Sequence, residues 1–286
     1  MSNTLKAIAN IIDSGCFTLT AKTTHLNQQN RINAEGDMLE DYVLDAYANT
    51  FGLDGHARDS VLQTVFSYLG NSSTPPDAML RGGDAIEVKK FKRISNADLP
   101  LNSSYPKDKI HRNDQSLTEM CRTCEQWTDK DMVYCIGYLN ASSIKRIKRL
   151  WITYGDCFCS DEAIYQRIAN TITSGLNQIP GIRTAPSDEL ARVNDVDILK
   201  RTNLRVRGMW TISNPNKLFA SLVSYNTDAP FQLFCIMTTE KYNLFSQNDR
   251  NTLSAKSGVV INTGTVLDPN NNARTINVTI ISYTKV

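Results

Sequence analysis

Three ionisable residues are spaced as the side chains of a divalent-metal site would be. Asp77 is followed, after a glycine pair, by Glu87 and Lys89. The glycine pair predicts a turn, and 84–90 alternates as a β-strand does, so we predict a β-hairpin. On an extended strand the Cα atoms of Glu87 and Lys89 lie about 6.6 Å apart on one face. The chemistry then depends on whether Asp77 shares that face.

The register of the hairpin decides where Asp77 points. A two-residue loop would put its carboxylate on the face of Ile86 and Val88, among apolar groups. A three-residue loop, 81–83, pairs Asp77 with Glu87 and places all three ionisable side chains on an open face. Burial favours this second register, with a glycine bulge in the left-handed conformation. Two carboxylates about 5 Å apart beside an ammonium form a metal site with a water-activating cation.

The elements around the hairpin predict the fold class. The apolar spacing predicts helices at about 4–12, 35–51, 57–68, 116–127 and 160–178, and strands at 132–139, 150–154, 203–212, 231–238 and 275–283. This order favours one α/β domain with a mixed central β-sheet flanked by helices. Glu40 lies at the edge of the apolar stripe of the second helix, so it faces either solvent or a site beside the core.

Composition limits the possible partners and compartments. The chain has 286 residues, 41% of them hydrophobic, and a formal net charge of +2. A nucleic-acid surface would therefore be a local patch. No apolar run approaches the length of a membrane span, and the N-terminus shows no signal-peptide pattern. Seven cysteines at irregular spacing favour a reducing compartment, so we expect a cytoplasmic protein without a membrane partner.

Two further stretches contain candidate binding groups. The polar loop 102–112 has the hydroxyls and cations of a phosphate-contacting loop, although a solvated loop has the same composition. Four thiols could bind a structural zinc ion. They belong to Cys121-x-x-Cys124 and Cys157-x-Cys159. The two pairs lie farther apart than in common zinc sites, and buried thiols on a helix are ordinary core residues, so zinc is the less favoured interpretation.

The hairpin follows the PD-(D/E)xK pattern, which alone matches many unrelated chains. A proline directly precedes Asp77, and several segments together resemble the NgoPII family of type II restriction endonucleases. These segments are 36–40, 66–71, 75–77, 83–90, 101–107, 121–127 and 204–210. The resemblance runs from near residue 30 to about residue 215. It implies a PD-(D/E)xK restriction-endonuclease-like core, one or two Mg²⁺ ions per site, and cleavage of double-stranded DNA at a GC-rich palindrome such as GGCC. It also implies 5′-phosphate ends and a functional pairing with a cognate DNA methyltransferase in a prokaryotic cytoplasm.

The resemblance assigns roles to the residues that match it. Asp77 and Glu87 would hold the metal. Lys89 would position the attacking water, or take its proton if burial depresses its pKa, and Glu40 would be a supplementary catalytic carboxylate. Arg205 and Arg207 would read guanine, although either could instead contact phosphate or pair with a carboxylate. The remaining candidate DNA contacts are Lys90, Ser103, Ser104, Lys107 and Lys109.

Three functions remain open for the whole chain. The first is a restriction endonuclease that acts as a homodimer, so that two sites meet the two strands of a palindrome. The second is a structure-specific or repair nuclease, and the third is a non-catalytic DNA-binding protein. For a single endonuclease domain of residues 1–286, we expect a catalytic core at about 30–180. DNA-recognition and peripheral elements are expected at about 181–286.

Overall fold

The computed structural model describes residues 1–22, 34–71, 74–102, 104–140, 143–185 and 189–285. The helices are α1 Thr4–Ser14, α2 Ala34–Ala48, α3 Gly55–Val65, α4 Glu119–Thr123, α5 Glu162–Asn177, α6 Pro215–Leu218, α7 Thr239–Leu244 and α8 Gln247–Ser254. The first strands are β1 Phe66–Asn71, β2 Thr74–Leu80, β3 Ala85–Phe91, β4 Leu99–Asn102, β5 Lys109–His111, β6 Asp129–Asn140 and β7 Ser143–Tyr154. The later strands are β8 Thr184–Ala185, β9 Ala191–Val193, β10 Leu204–Val206, β11 Trp210–Ile212, β12 Phe231–Thr238, β13 Val259–Asp268 and β14 Asn271–Lys285.

A large mixed sheet forms the centre of the molecule. Its strands run in the order β1-β2-β3-β6-β7-β12-β14-β13, and β5 pairs with β6. The pairs β3–β6 and β7–β12 are parallel, and the other pairs along this path are antiparallel. Helices flank the sheet, which confirms the predicted fold class.

The middle strands are buried because their sequences are almost continuously apolar, with Gln232 as the exception. Residues 132–139 of β6 and 231–237 of β12 are buried along their whole length. Such runs fit strands that are covered on both faces. Trp151 of β7 packs on Phe234 of β12 with ring centroids 5.0 Å apart. The core of the sheet therefore lies between the β2–β3 hairpin and the C-terminal strands.

Helix α2 approaches this sheet closely. Leu39 lies directly over Gly137 of β6, where an added Cβ would be only 2.6 Å from a Leu39 methyl carbon. A glycine is therefore needed at position 137 for the helix to pack at this distance. The predicted apolar stripe of α2 is buried at Leu39, Tyr42 and Val43. This packing fixes Glu40, the next residue, beside the sheet.

The C-terminal part of the chain differs from the expectation of peripheral elements at 181–286. Strands β12, β14 and β13 join the central sheet, whereas β8–β10 form a separate small sheet. The single strand expected at 203–212 is two strands, because β10 pairs with β9 and β11 pairs with β4. The helix expected at 116–127 is only the short α4. No helix among the described residues is long and apolar enough to cross a membrane.

Candidate active site

Strands β2 and β3 form the predicted hairpin in the predicted register. Ala78 is the partner of Ile86 across the two strands. Continuing this register by one residue places Asp77 opposite Glu87. The carboxylate of Asp77 accepts a hydrogen bond of 2.6 Å from the backbone N–H of Val88. The structure therefore confirms that the two carboxylates face each other across the hairpin.

The loop of the hairpin has three residues, as the burial argument requires. The backbone N–H of Leu80 donates to the carbonyl of Asp84 at 2.9 Å, which closes the loop around residues 81–83. Gly82 has a φ of +63°, in the left-handed region that favours glycine. The predicted glycine bulge is thus present and sets the register of both strands.

Two residues outside the hairpin hold this loop. The ammonium of Lys130 donates to the carbonyl of Leu80 at 2.9 Å and to that of Gly83 at 2.6 Å. Glu125 pairs with Lys130 at 2.6 Å and accepts a hydrogen bond of 3.0 Å from the N–H of Gly82. Sequence reasoning missed both residues, because neither has a spacing that relates it to the hairpin.

The face shared by the ionisable residues is more enclosed than expected. Glu87 is only 7% exposed. Its Oε1 contacts the Lys89 ammonium at 2.5 Å, whereas its Oε2 has no hydrogen-bond donor among the described residues. A small cavity lies beside Glu87, and its other lining residues are Pro75, Leu101, Ser104, Tyr105, Lys107, Met132 and Tyr134. The expected open face is therefore largely covered at Glu87 by the segment that includes residues 104–107.

The site concentrates negative charge around one cation. Burial and the neighbouring Glu87 raise the pKa of Asp77 well above its usual value, and Glu40 adds to this increase. Burial lowers the pKa of Lys89, but the negative charges of Glu87, Asp77 and Glu40 outweigh it, so the net pKa is raised. The structure therefore places all four predicted catalytic residues close enough for their charges to interact. It favours a charged Lys89 over one whose pKa burial depresses.

These side chains fit a divalent cation. The unsatisfied Glu87 oxygen is a hard donor of the type that Mg²⁺ prefers, and a cation would relieve the repulsion between Asp77 and Glu87. In the described part of the chain, no three His, Cys, Asp or Glu side chains converge as a complete metal site. The two carboxylates would therefore need backbone, water or phosphate oxygens as further ligands.

The cysteines do not assemble a zinc site among the described residues. Cys121 lies 3.2 Å from the sulfur of Met79, and Cys124 donates to the Cys121 carbonyl. Cys157 and Cys159 donate to the carbonyls of Tyr154 and Gly155. Burial raises the pKa of the Cys121 thiol to about 12 and also raises those of the other three thiols. Neutral thiols in the core, the other interpretation of the sequence, agree with these contacts.

The candidate residues of the polar loop lie in different environments. Lys107 is buried, pairs with Asp114 at 2.8 Å, and lies over the Tyr105 ring at 4.2 Å. Lys109 is partly exposed and lies 3.5 Å from Asp131. Ser104 borders the cavity beside Glu87. Lys90 is half-buried at the end of β3, and Ser103 lies outside the described residues.

The two candidate base-reading arginines share one carboxylate. Glu189 pairs with Arg205 at 2.7 Å and with Arg207 at 2.5 Å. Both arginine side chains are more than half exposed. Carboxylate pairing was one of the three alternatives for these residues, and it leaves both guanidinium groups at the surface.

Comparison with known proteins agrees with this geometry. Residues 2–266 match the profile of the family described as NgoPII restriction endonuclease, a longer span than the resemblance at 30–215. The chain is 40% identical over 281 residues to the type II restriction enzyme NgoPII of Neisseria gonorrhoeae. The aligned region covers 98% of this chain and 99% of that protein. No solved structure matches the chain significantly. The chain therefore belongs to the NgoPII family of type II restriction endonucleases.

Proposed function

We propose that this restriction endonuclease makes Mg²⁺-dependent double-strand cuts at a short GC-rich palindrome, with GGCC as the target that the resemblance implies. The observation that carries the proposal is the PD-(D/E)xK-type hairpin, with Asp77 opposite Glu87 and Lys89 against a Glu87 oxygen. The unsatisfied second oxygen of Glu87 supports the metal requirement.

Each residue of the site has a defined task in hydrolysis. Asp77 and Glu87 would hold one or two Mg²⁺ ions, which would supply charge stabilisation at the scissile phosphate and lower the pKa of a bound water. The Lys89 ammonium orients the attacking water and stabilises negative charge on its oxygen. Glu40 contributes a further carboxylate from α2. In-line attack breaks the bond between phosphorus and the 3′ oxygen, so that a 5′-phosphate and a 3′-hydroxyl remain.

Recognition uses a different part of the chain. Arg205 and Arg207 contact guanine edges in the major groove, where an arginine fork matches the O6 and N7 acceptors. Phosphate contacts come from Lys90, Ser103, Ser104 and Lys109. The buried pair with Asp114 gives Lys107 an internal supporting role instead. Two copies of the chain form a homodimer that cuts both strands of the palindrome, and a cognate methyltransferase protects cytoplasmic host DNA.

Replacement of the lysine tests the chemistry separately from DNA binding. We expect Lys89→Ala to bind target DNA but to cut it at least ~100-fold more slowly, because the water loses its positioning cation. The exposed Lys92, just beyond β3, gives a matched control: Lys92→Ala should cut at the wild-type rate. Rates would be measured on a plasmid in single-turnover reactions, and binding by fluorescence anisotropy with EDTA present.

The same plasmid digestion tests the target. Sequencing of the fragment ends should give one palindrome with 5′-phosphates. Normal cutting by Lys89→Ala at neutral pH would refute the catalytic assignment. Digestion of branched DNA without cutting at a defined sequence would instead identify a structure-specific nuclease.

A further inference from the structure

The small sheet of β8, β9 and β10 has one apolar face and one basic face. Arg205 of β10 lies opposite Arg192 of β9, so both side chains are on the same face. Ala191 and Val193, on the other face of β9, are buried. Arg207, two residues beyond Arg205, continues the basic face. The sheet therefore presents arginines to solvent and buries the apolar side of β9, whereas Leu204 of β10 stays partly exposed.

Glu189 organises two of these arginines. Its Oε2 accepts a hydrogen bond of 2.9 Å from Nε of Arg205, and its Oε1 pairs with Nη2 of the same residue at 2.7 Å. Nε of Arg207 donates to Oε1 at 2.5 Å. The Glu189 side chain is 13% exposed, against 59% for Arg205 and 56% for Arg207. One carboxylate thus holds two exposed guanidinium groups side by side.

The contacts leave the recognition edge of each arginine unused by Glu189. A guanidinium has five N–H donors. Glu189 takes the Nε side of both residues, so the Nη1–Nη2 edge points away from the carboxylate. That edge matches the O6 and N7 acceptors of guanine. The group of three side chains keeps a net charge of +1, which suits an anionic partner.

The small sheet is connected to the catalytic region. Trp210 follows Arg207 closely in the chain and packs against the rings of Tyr105 and Tyr165 at 6.2 Å and 5.6 Å between centroids. Tyr105 also lines the cavity beside Glu87. The segment that follows the arginines is therefore packed against a residue that borders the candidate site.

We propose that Glu189 is a positioning residue for sequence recognition, which presets Arg205 and Arg207 as a paired reader of guanine with Arg192 beside them. This inference rests on the proposed cleavage of a GC-rich site. Arginine side chains that are already held in place lose less conformational freedom when they bind DNA. We expect the resulting gain in affinity only at sequences where guanine acceptors meet the free edges of both Arg205 and Arg207. At other sequences the Glu189 carboxylate remains close to the DNA and repels it, which adds discrimination against wrong sites.

The ionisation of Glu189 agrees with this role. Hydrogen bonds from Arg205 and Arg207 lower the pKa of Glu189 to about 2. The carboxylate is therefore charged throughout the neutral range, and we expect its effect on recognition to be independent of pH there.

The test compares target and random DNA. The target duplex carries the sequence that plasmid digestion of the wild-type enzyme identifies, and the second duplex has the same bases shuffled. Binding is measured with EDTA present. For Glu189→Gln we expect target affinity to fall ~10-fold or more, the order of one bidentate guanine contact. Affinity for shuffled DNA should stay constant or increase, because a negative charge is lost.

Two comparisons separate positioning from general charge or folding effects. Asp13→Asn is the charge control, because Asp13 pairs with Lys256 at the surface, outside the small sheet. This variant should leave the ratio of target to shuffled affinity unchanged. In an Arg205→Ala, Arg207→Ala background, Glu189→Gln should cause no further loss of target affinity, because its effect passes through those arginines.

An unchanged ratio of target to shuffled affinity would overturn the proposal, whether Glu189→Gln tightens both duplexes equally, weakens both equally or changes neither. If the wild-type enzyme cuts no defined sequence, the proposed function itself fails. If it cuts and Glu189→Gln keeps full discrimination, only the role of Glu189 fails.

Discussion

Burial of the Glu87 carboxylate has a free-energy cost that contacts within the protein do not fully offset. Its buried Oε2 has no donor among the described residues, and Asp77 faces it across the hairpin. Buried carboxylate oxygens usually receive hydrogen bonds, since an unsatisfied one costs free energy of folding. Groups kept in such an environment are enriched at functional sites. We infer that the site depends on a bound cation for its stability as well as for its chemistry.

The residue-scale prediction is that Glu87→Gln abolishes stabilisation by Mg²⁺. Wild-type protein should unfold at a higher temperature as Mg²⁺ is added, because the ion binds the folded state, with ~2.7 kcal/mol gained at 100 times the dissociation constant. The variant should lack this rise, and without Mg²⁺ its stability should change little, because relief of the repulsion with Asp77 offsets the loss of the ion pair with Lys89. Scanning calorimetry with and without EDTA measures both effects.

Glu240→Gln gives the matched control, because Glu240 is exposed on α7. That variant should keep the full Mg²⁺-dependent rise. If Glu87→Gln showed the same rise as wild type, Glu87 would not be a metal ligand.

At the scale of elements, the three-residue turn sets the position of Asp77 relative to Glu87, the two candidate catalytic carboxylates. Gly82→Ala should lower the free energy of unfolding by about 1–2 kcal/mol, because its φ of +63° is strained for alanine. Cleavage should also slow, since a change in the turn shifts Asp77 relative to Glu87. Urea denaturation and single-turnover cleavage would measure the two effects.

A second glycine provides the comparison for this change. Gly175 lies in α5, and an added Cβ there would meet no atom within 4 Å. Gly175→Ala should therefore stabilise the protein by up to ~1 kcal/mol through helix propensity and leave cleavage unchanged. Equal effects of both substitutions would show that the left-handed turn has no special role.

The loop that covers Glu87 depends on a buried ion pair. Burial raises the pKa of Asp114, but the Lys107 ammonium and hydrogen bonds from Ser116 outweigh it, so the net pKa is lowered. A lowered pKa stabilises the folded state above the unfolded pKa of about 4, and this stabilisation is lost as the pH falls through the folded pKa.

Asp114→Asn should therefore destabilise the protein mainly at neutral pH. Removing one partner of a buried pair costs ~3–5 kcal/mol, because Lys107 stays charged and buried. The stability difference from wild type should begin to shrink below about pH 4 and be smallest below the lowered pKa of the folded state, where the wild-type carboxyl is protonated as well. Denaturation curves of both proteins at several pH values measure this difference in the free energy of unfolding. A constant difference at all pH values would show that Asp114 acts through its shape alone.

At the scale of the whole molecule, the C-terminal strands support the active site. Strand β12 lies between β7 and β14 in the central sheet. From α7, directly after β12, the Lys241 ammonium reaches Asp84 at 2.7 Å and Asp131 at 2.6 Å. Asp84 follows the turn of the β2–β3 hairpin, which holds the candidate catalytic residues. Residues 231–285 are therefore part of the scaffold that holds the hairpin.

The corresponding prediction compares neighbouring strands. Ile281 of β14 is fully buried, whereas Val260 of β13 is 52% exposed. Ile281→Ala should cost ~2–5 kcal/mol by leaving a cavity, and Val260→Ala should change stability by less than ~0.5 kcal/mol. Thermal and urea unfolding would compare them. If Ile281→Ala were as mild as Val260→Ala, the C-terminal strands would be peripheral after all.

The sequence alone determined the features that depend on local patterns. Alternation and the glycine pair predict the β2–β3 hairpin, and its register follows from burial, because a shift of one residue reverses the faces of a strand. Glu40 could be placed on the α2 stripe by helical period. Strand β13 was missed, since its apolar and polar residues do not alternate and every residue in it is exposed or half-exposed.

Only the tertiary structure decided which distant groups meet. Lys130 and Glu125 reach the hairpin turn, Lys107 turns inward to Asp114, and Glu189 joins the two arginines. These contacts depend on packing between elements far apart in the chain, which no local period encodes. The spacing of Asp77, Glu87 and Lys89 specified the type of site, whereas the fold decided how enclosed it is, because the covering residues come from outside the hairpin.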